Sequence, residues 1–451
     1  MACATTETAL RAIARWPHDR PLVALVSGAG GGPWSRRSIF AAPQEIRVVR
    51  APSGIDDCRR AVERELRGAL RRTRERGPSA CAGWFVTLSY DLGRAFEPKA
   101  QHAGGAVDDR DWPLATLCWC PDVLVLDHAT SSWSIDGDPR GVPLALESLD
   151  ADAVADDERF AVGPLRTQVD RGRFEAAVDR CVEMILAGDL FQANVARRMC
   201  ADFGGSTRAL ALAAFRASEA WFGAYLECDP GRAIVSMSPE LFLSLEAASR
   251  RVVTRPIKGT RPADADPRTL RESPKDEAEL TMIVDLMRND LGRVCDIGSV
   301  RVDVARAIES HATVHHGVAD VSGTLRRDCD VVDLLAATFP PGSVTGAPKV
   351  RAMQVIDELE PVRRGPYCGA TGLIASDGSV ALNVAIRTIA LSGRGDARRP
   401  AELDGVLDYW AGCGIVADSV ASHEWDESVA KTEVLMRSAY AAARPASPAC
   451  G

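Results

Sequence analysis

The stretch KDEAELTMIVDLMRNDLGRV, residues 275–294, carries the pattern from which the rest of the chain can be read. Met282, Ile283, Leu286 and Met287 recur at helical spacing, so the periodicity predicts an amphipathic helix over 276–294. Asp276 and Glu279 stand three apart in its first turns, which puts both carboxylates on one side. Acidic residues also complement the dipole at a helix start, so this pair alone leaves capping and chemistry both open. Around it, helical patterns at 174–187, 331–338 and 349–359 alternate with strand-like runs at 233–236, 252–257, 371–374 and 380–391. No period repeats, and the alternation predicts a large mixed α/β region over 170–442.

Upstream, residues 1–150 contain short apolar runs between Gly/Pro-rich turns and one charged amphipathic segment at 56–76, read as strands with one long helix. Between these regions DADAVADDERFAVG, residues 150–163, is acidic and poor in large apolar residues, which predicts an exposed linker over 151–169. The Ala/Pro/Ser-rich end, 443–451, is expected to fray. With 451 residues, 46% hydrophobic and 26% charged, the composition is that of a packed globular protein. A net charge of -8 and no long basic run argue against nucleic acid as a partner. No apolar stretch reaches the roughly 20 residues that span a bilayer, so no membrane partner is expected. Glu7, Arg11, Arg15, Asp19 and Arg20 interrupt the start, which points to a cytoplasmic chain. Thirteen cysteines without framework spacing fit reduced thiols.

A second acidic pair, Glu424 and Glu427 in SHEWDESVAK, is again three apart on a predicted helix. Four carboxylates without a thiolate or imidazole cluster suit a hard cation, with Mg²⁺ the natural choice, if the two pairs converge. Three Gly-rich turns follow strand-like runs: PIKGT (256–260), FPPGSVTGAPK (339–349) and AGCGIVADS (411–419). Glycines there let backbone amides approach an anion, yet none matches a dinucleotide fingerprint or a phosphate loop. A small carboxylate ligand fits at least as well as a nucleotide. Lys258, Glu240 in SPELF and His316 in TVHHG are titratable residues set among apolar ones, each alone as readily structural as functional.

Together the strings PIKGT, MIVDLMRNDLGRV, FPPGSVTGAPKVRAMQVIDELEP, YCGATGLI, LNVAIRT and GIVADS, in this order, resemble the chorismate-utilising family. The likeness is to component I of its aminodeoxychorismate and anthranilate synthases. It spans almost all of residues 170–435, and WSRRSIFAAP and GWFVTLSYDLGRAFE extend it weakly into the N-terminal third. The resemblance implies an α/β (α+β) fold: two antiparallel β-sheets packed as a sandwich, helices outside, the active site in the cleft. It also implies chorismate as substrate and Mg²⁺ as cofactor, held by Asp276 and Glu279 on one helix and Glu424 and Glu427 on another. Asp276 stands where a glutamate is common. By the same resemblance Thr260, Thr345, Tyr367, Arg387, Gly412, Gly414 and Lys431 contact the substrate, and His316 and Glu240 join Lys258 as catalytic groups.

Two positions divide the chemistry within the resemblance. Gln192 in LFQAN stands where isochorismate synthases have a water-activating lysine, which disfavours water addition. Lys258 stands where anthranilate synthases typically have alanine, and implies a covalent lysine route to 4-amino-4-deoxychorismate, the precursor of p-aminobenzoate. Anthranilate formation is the alternative, and a non-catalytic scaffold that binds an amidotransferase is a second. No glutaminase nucleophile elbow is evident in the sequence, so ammonia is expected from a separate glutamine amidotransferase subunit. Cys413, between Gly412 and Gly414 where the family has a small residue, is the departure from the family pattern best placed to alter the substrate-carboxylate site, by bulk or by making the loop thiol-sensitive.

Overall fold

In the computed structural model, which describes residues 2–28, 32–51, 58–71, 77–100, 105–149, 159–218, 220–310, 314–433 and 435–437, strands pair into two antiparallel sheets. Among the described residues one sheet has twelve strands and the other ten. Strand alternation explains how they stack. Along Val23–Val26, Val23 faces a core shared with the second sheet, where Phe85, Cys118 and Leu373 meet it, while Ala24 and Val26 face helices on the outside. The outer face of the ten-stranded sheet is covered by the helices Cys58–Leu70, Pro274–Gly292, Val331–Thr338 and Lys349–Leu359. That is the expected sandwich with helices outside.

The long helix begins at Pro274, with Ser273 as N-cap accepting the Asp276 amide, so the 276–294 pattern is read within two residues at either end. The helices Val331–Thr338 and Lys349–Leu359 coincide with their periodic runs. The 56–76 segment is helical over Cys58–Leu70, while 52–57 and 72–76 lie outside the described residues.

Two expectations change. The run 380–391 is two strands, Val380–Val384 in the ten-stranded sheet and Thr388–Asp396 in the twelve-stranded one. The chain changes sheets across Arg387, whose φ of 49° is a left-handed conformation. The linker over 151–169 is not a linker in its described part. Phe160–Val162 and Arg166–Thr167 pair with the strand Gln192–Ser206, and Phe160 stacks on Phe203 at 6.2 Å; apolar Phe160 and Val162 outweigh the acidic surroundings. Residues 150–158, like the 443–451 tail, lie outside the described residues. The N-terminal third contributes to both sheets, Val23–Val26 beside Phe222–Asp229 and Gly83–Leu88 beside Ala370–Ala375. No described helix is long and apolar enough to cross a membrane. The described cysteines form no disulfide; Cys118 and Cys120 point into the inter-sheet core on either side of Trp119.

Candidate active site

The longest strand pair builds one wall of the cleft. Gln192–Ser206 runs against Arg399–Ile415 with Asn194 opposite Gly414 and Ala196 opposite Gly412. Side chains alternate across that pair, so Gly412 and Gly414 face the cleft and Cys413 faces the helices behind it. A Cβ on Gly414 would lie 2.8 Å from Lys258 Nζ and closer still to Gln192 Nε2. Glycine leaves room here for two polar side-chain ends above its backbone. Gln192 is buried, and among the described residues its Oε1 has no hydrogen-bond partner.

Lys258 reaches this point from the strand Ile257–Pro262, where a bulge at Gly259, φ 78°, shifts the register between Lys258 and Thr260. Its ammonium lies 3.8 Å from Glu279 Oε2. Burial lowers the Lys258 pKa, Glu279 pulls it back up, and Lys431 pushes it down again. Glu240, only 3% exposed, accepts a 2.6 Å hydrogen bond from Ser343 Oγ. Burial pushes its carboxyl up to about 7, against the opposing pull of Ser343 and Lys258. His316 stands opposite Thr260 on the strand Val314–Thr324, and its Nδ1 shares a 3.0 Å hydrogen bond with Thr260 Oγ1.

The second helix of the site, Ala421–Ala430, follows the GIVADS turn directly. Ser419 Oγ donates to Glu424 Oε1 at 2.8 Å, and Lys431 Nζ lies 2.7 Å from both Glu427 Oε1 and the Gly412 carbonyl. Carboxylate oxygens of Glu424 and Glu427 lie, with Cys413 Sγ, within 4.8 Å of one another. Burial raises the Glu279 pKa, and Glu427 on the second helix is among the charges that act on it, with Lys258, Lys275 and Asp276. An oxygen donor set from Glu279, Glu424 and Glu427 suits a hard divalent cation. Burial pushes the pKa of the Cys413 thiol well up, and its Sγ donates to the Glu424 carbonyl at 3.3 Å. It packs among Val195, Ile415 and Trp425. Asp276 is ion-paired to Arg261 at 2.7 Å and rests against Gly259.

Of the expected substrate contacts, Arg387 is the most telling. Its guanidinium is partly buried and burial lowers its pKa, yet among the described residues it makes no ion pair. An uncompensated buried cation is a place for an anion. Tyr367 stacks on Trp410 with ring centroids 5.5 Å apart and planes 4° apart, and the buried Arg364, bonded to Glu360, lies 5.6 Å from its ring. Thr345 is fully buried, with its hydroxyl donating to Pro341 O at 2.8 Å and its carbonyl accepting from Asn194, so its side chain closes the SVTGAPK turn. Sequence reasoning missed Ser343 and Arg261. Ser343 sits inside a quoted Gly-rich turn, where a hydroxyl three residues from the strand's partner is a readable signal; Arg261 gives none, being one more arginine beside a turn.

Residues 29–437 match the family described as chorismate binding enzyme. Aminodeoxychorismate synthase component 1 of Klebsiella aerogenes is 37% identical over 365 residues, covering 78% of this chain and 76% of that protein. Aminodeoxychorismate synthase of Streptomyces griseus is 34% identical over 436 residues; the alignment takes in 91% of this chain but spans only 58% of that relative's length. Among solved structures, anthranilate synthase component I from Streptococcus pneumoniae TIGR4 superposes with a TM-score of 0.73 at 25% identity, covering 90% of this chain and 93% of that one. With its fold, its cleft and these likenesses in agreement, the chain belongs to the family of chorismate-binding enzymes.

Proposed function

We propose that the chain converts chorismate and ammonia to 4-amino-4-deoxychorismate through a covalent intermediate on Lys258. The observation that carries this reading is the placement of a buried amine, its pKa lowered by burial, above Gly414 and electrostatically coupled to a carboxyl raised to about 7. A lysine so placed is a nucleophile in the making. The relatives named for the same reaction support it.

Chorismate is a dianion, and Arg387 offers one carboxylate an uncompensated guanidinium. Lys258 Nζ then forms a bond to C2 of the ring, both ring double bonds shift in relay round to C4, and the C4 hydroxyl departs. Glu240, partly protonated near neutrality, is the acid that delivers a proton to it, so that water leaves. Ammonia adds at C4, the C2–N bond breaks, and the lysine amine is regenerated while a proton returns to Glu240. The net change is exchange of hydroxyl for amine, with one water released. Glu279, Glu424 and Glu427 are the residues that would hold Mg²⁺, which when bound neutralises a substrate carboxylate and polarises the departing oxygen. Ammonia comes, in this reading, from a separate glutamine amidotransferase, and the reaction belongs to p-aminobenzoate formation in the cytoplasm.

The test is a product assay with chorismate, Mg²⁺ and ammonium, chromatographed with and without an aminodeoxychorismate lyase. Lyase-dependent p-aminobenzoate is expected. Fluorescent anthranilate without lyase would overturn the reading, since it requires ammonia to attack C2 directly. Lys258→Ala is expected to lower turnover by about 10²- to 10⁴-fold; a variant within a fewfold of the parent removes the covalent step.

A further inference from the structure

Asp276, like Glu279 with Lys258 and Glu427 with Lys431, has a cationic partner, Arg261. Asp276 and Glu279 sit three residues apart on the Pro274–Gly292 helix, on one face, and they are electrostatic neighbours. Yet Arg261 Nη2 holds Asp276 Oδ2 at 2.7 Å. The helix start does not need that pair for its own stability, since Ser273 already caps the Asp276 amide and Pro274 occupies the first turn. Nor does Arg261 depend on Asp276 alone. Its Nη1 donates to the Thr260 carbonyl at 2.9 Å, and the side chain is 33% exposed, so the guanidinium can swing to water without leaving a buried charge behind.

From this geometry we infer that Arg261 is an internal competitor for the divalent cation, occupying Asp276 and thereby holding the metal affinity of the resting protein down. The inference rests on the reading of Glu279, Glu424 and Glu427 as metal ligands and adds a residue that opposes them. A fixed positive charge on Asp276 both removes a fourth oxygen donor and repels a dication arriving at Glu279. Lys258 at Glu279 and Lys431 at Glu427 are cations of the same kind, but both face the substrate cleft and have work there. Arg261 does not, and can be varied without touching the reacting groups.

The experiment is direct Mn²⁺ binding to the full chain without substrate, read by the free-ion electron paramagnetic resonance signal, with circular dichroism and melting temperature as checks on folding. Arg261→Gln is expected to bind Mn²⁺ about 3- to 10-fold more tightly than the parent. Arg261→Lys, which keeps a cation in place, is expected to stay near the parent. The double variant Arg261→Gln with Asp276→Asn is expected to lose the gain, because the freed donor is gone. An affinity in Arg261→Gln equal to or weaker than the parent's overturns the competition and makes the pair a structural clamp. A folded parent that binds no Mn²⁺ at millimolar concentration overturns the metal reading itself, and the inference with it.

Discussion

Replacing Gly414 by alanine tests the proposed placement of the reacting amine. The new methyl carbon would stand 2.8 Å from Lys258 Nζ and nearer still to Gln192 Nε2. Ordinary carbon contacts begin at about 3.5 Å, so Lys258 must withdraw by about 0.7 Å and Gln192 by more. Both obstacles are the free ends of side chains, and the strand Arg399–Ile415 stays paired on either side, so the fold survives at a cost of about 1–3 kcal/mol. Chemistry does not survive so well, because a misplacement of about 1 Å at a reacting atom costs about 10²-fold. Gly412→Ala is the internal control. There the added carbon would meet Ala196 Cβ at 2.7 Å and the Val195 carbonyl at 2.9 Å, groups that cannot swing away, so the loss is expected in melting temperature first. The assay is lyase-coupled p-aminobenzoate formation at saturating ammonium, with thermal melts on the same preparations. A folded Gly414→Ala protein with the parent's kcat/KM would show that Lys258 does not react from this position.

Arg387→Gln keeps the left-handed backbone as strained as before but removes the charge; KM for chorismate is expected to rise about 10- to 100-fold in steady-state kinetics, with no fall in melting temperature, since the cation had no ion pair to lose. Glu240 holds its proton up to about pH 7 in the folded protein against 4.5 as its ordinary value, so its contribution to stability is complete below that lower value and is lost as pH rises through the upper one. Glutamine mimics the protonated acid; Glu240→Gln and parent are therefore expected to melt alike near about pH 5, and the variant to be the more stable near about pH 8.5, by at most about 3 kcal/mol. A constant difference across that range would refute the raised carboxyl. Cys413→Ala is expected to leave KM for chorismate within about twofold and to cost about 1 kcal/mol in melts, as the thiol packs behind the sheet; a large KM change would place it in the cleft after all.

What the sequence made legible follows from where its signals are local. Ser273, Pro274 and the apolar period from Met282 to Met287 define a helix by short-range rules, and the structure keeps it within two residues at either end. The same locality placed Glu424 and Glu427 on one helix. The run 380–391 shows the opposite case: its residues suit a strand throughout, and only the tertiary arrangement breaks it at Arg387 and hands the halves to different sheets. Likewise Phe160 and Val162 become strand because Gln192–Ser206 is there to receive them. At Cys413 the period decides: one residue's shift along a strand moves a side chain to the opposite face, and no composition rule fixes which glycine faces the cleft. Arg261, finally, is visible only once Asp276 is seen beside it.

The interleaving of the N-terminal third with the rest bears on how the protein is made. Val23 pairs with Leu226 and Trp84 with Ile374, partners that leave the ribosome roughly two hundred and nearly three hundred residues later. Neither sheet can close during synthesis until late strands arrive, and the early strands wait with unpaired edges. A split placed between the first region and the second is therefore expected to leave each piece without partner strands in both sheets.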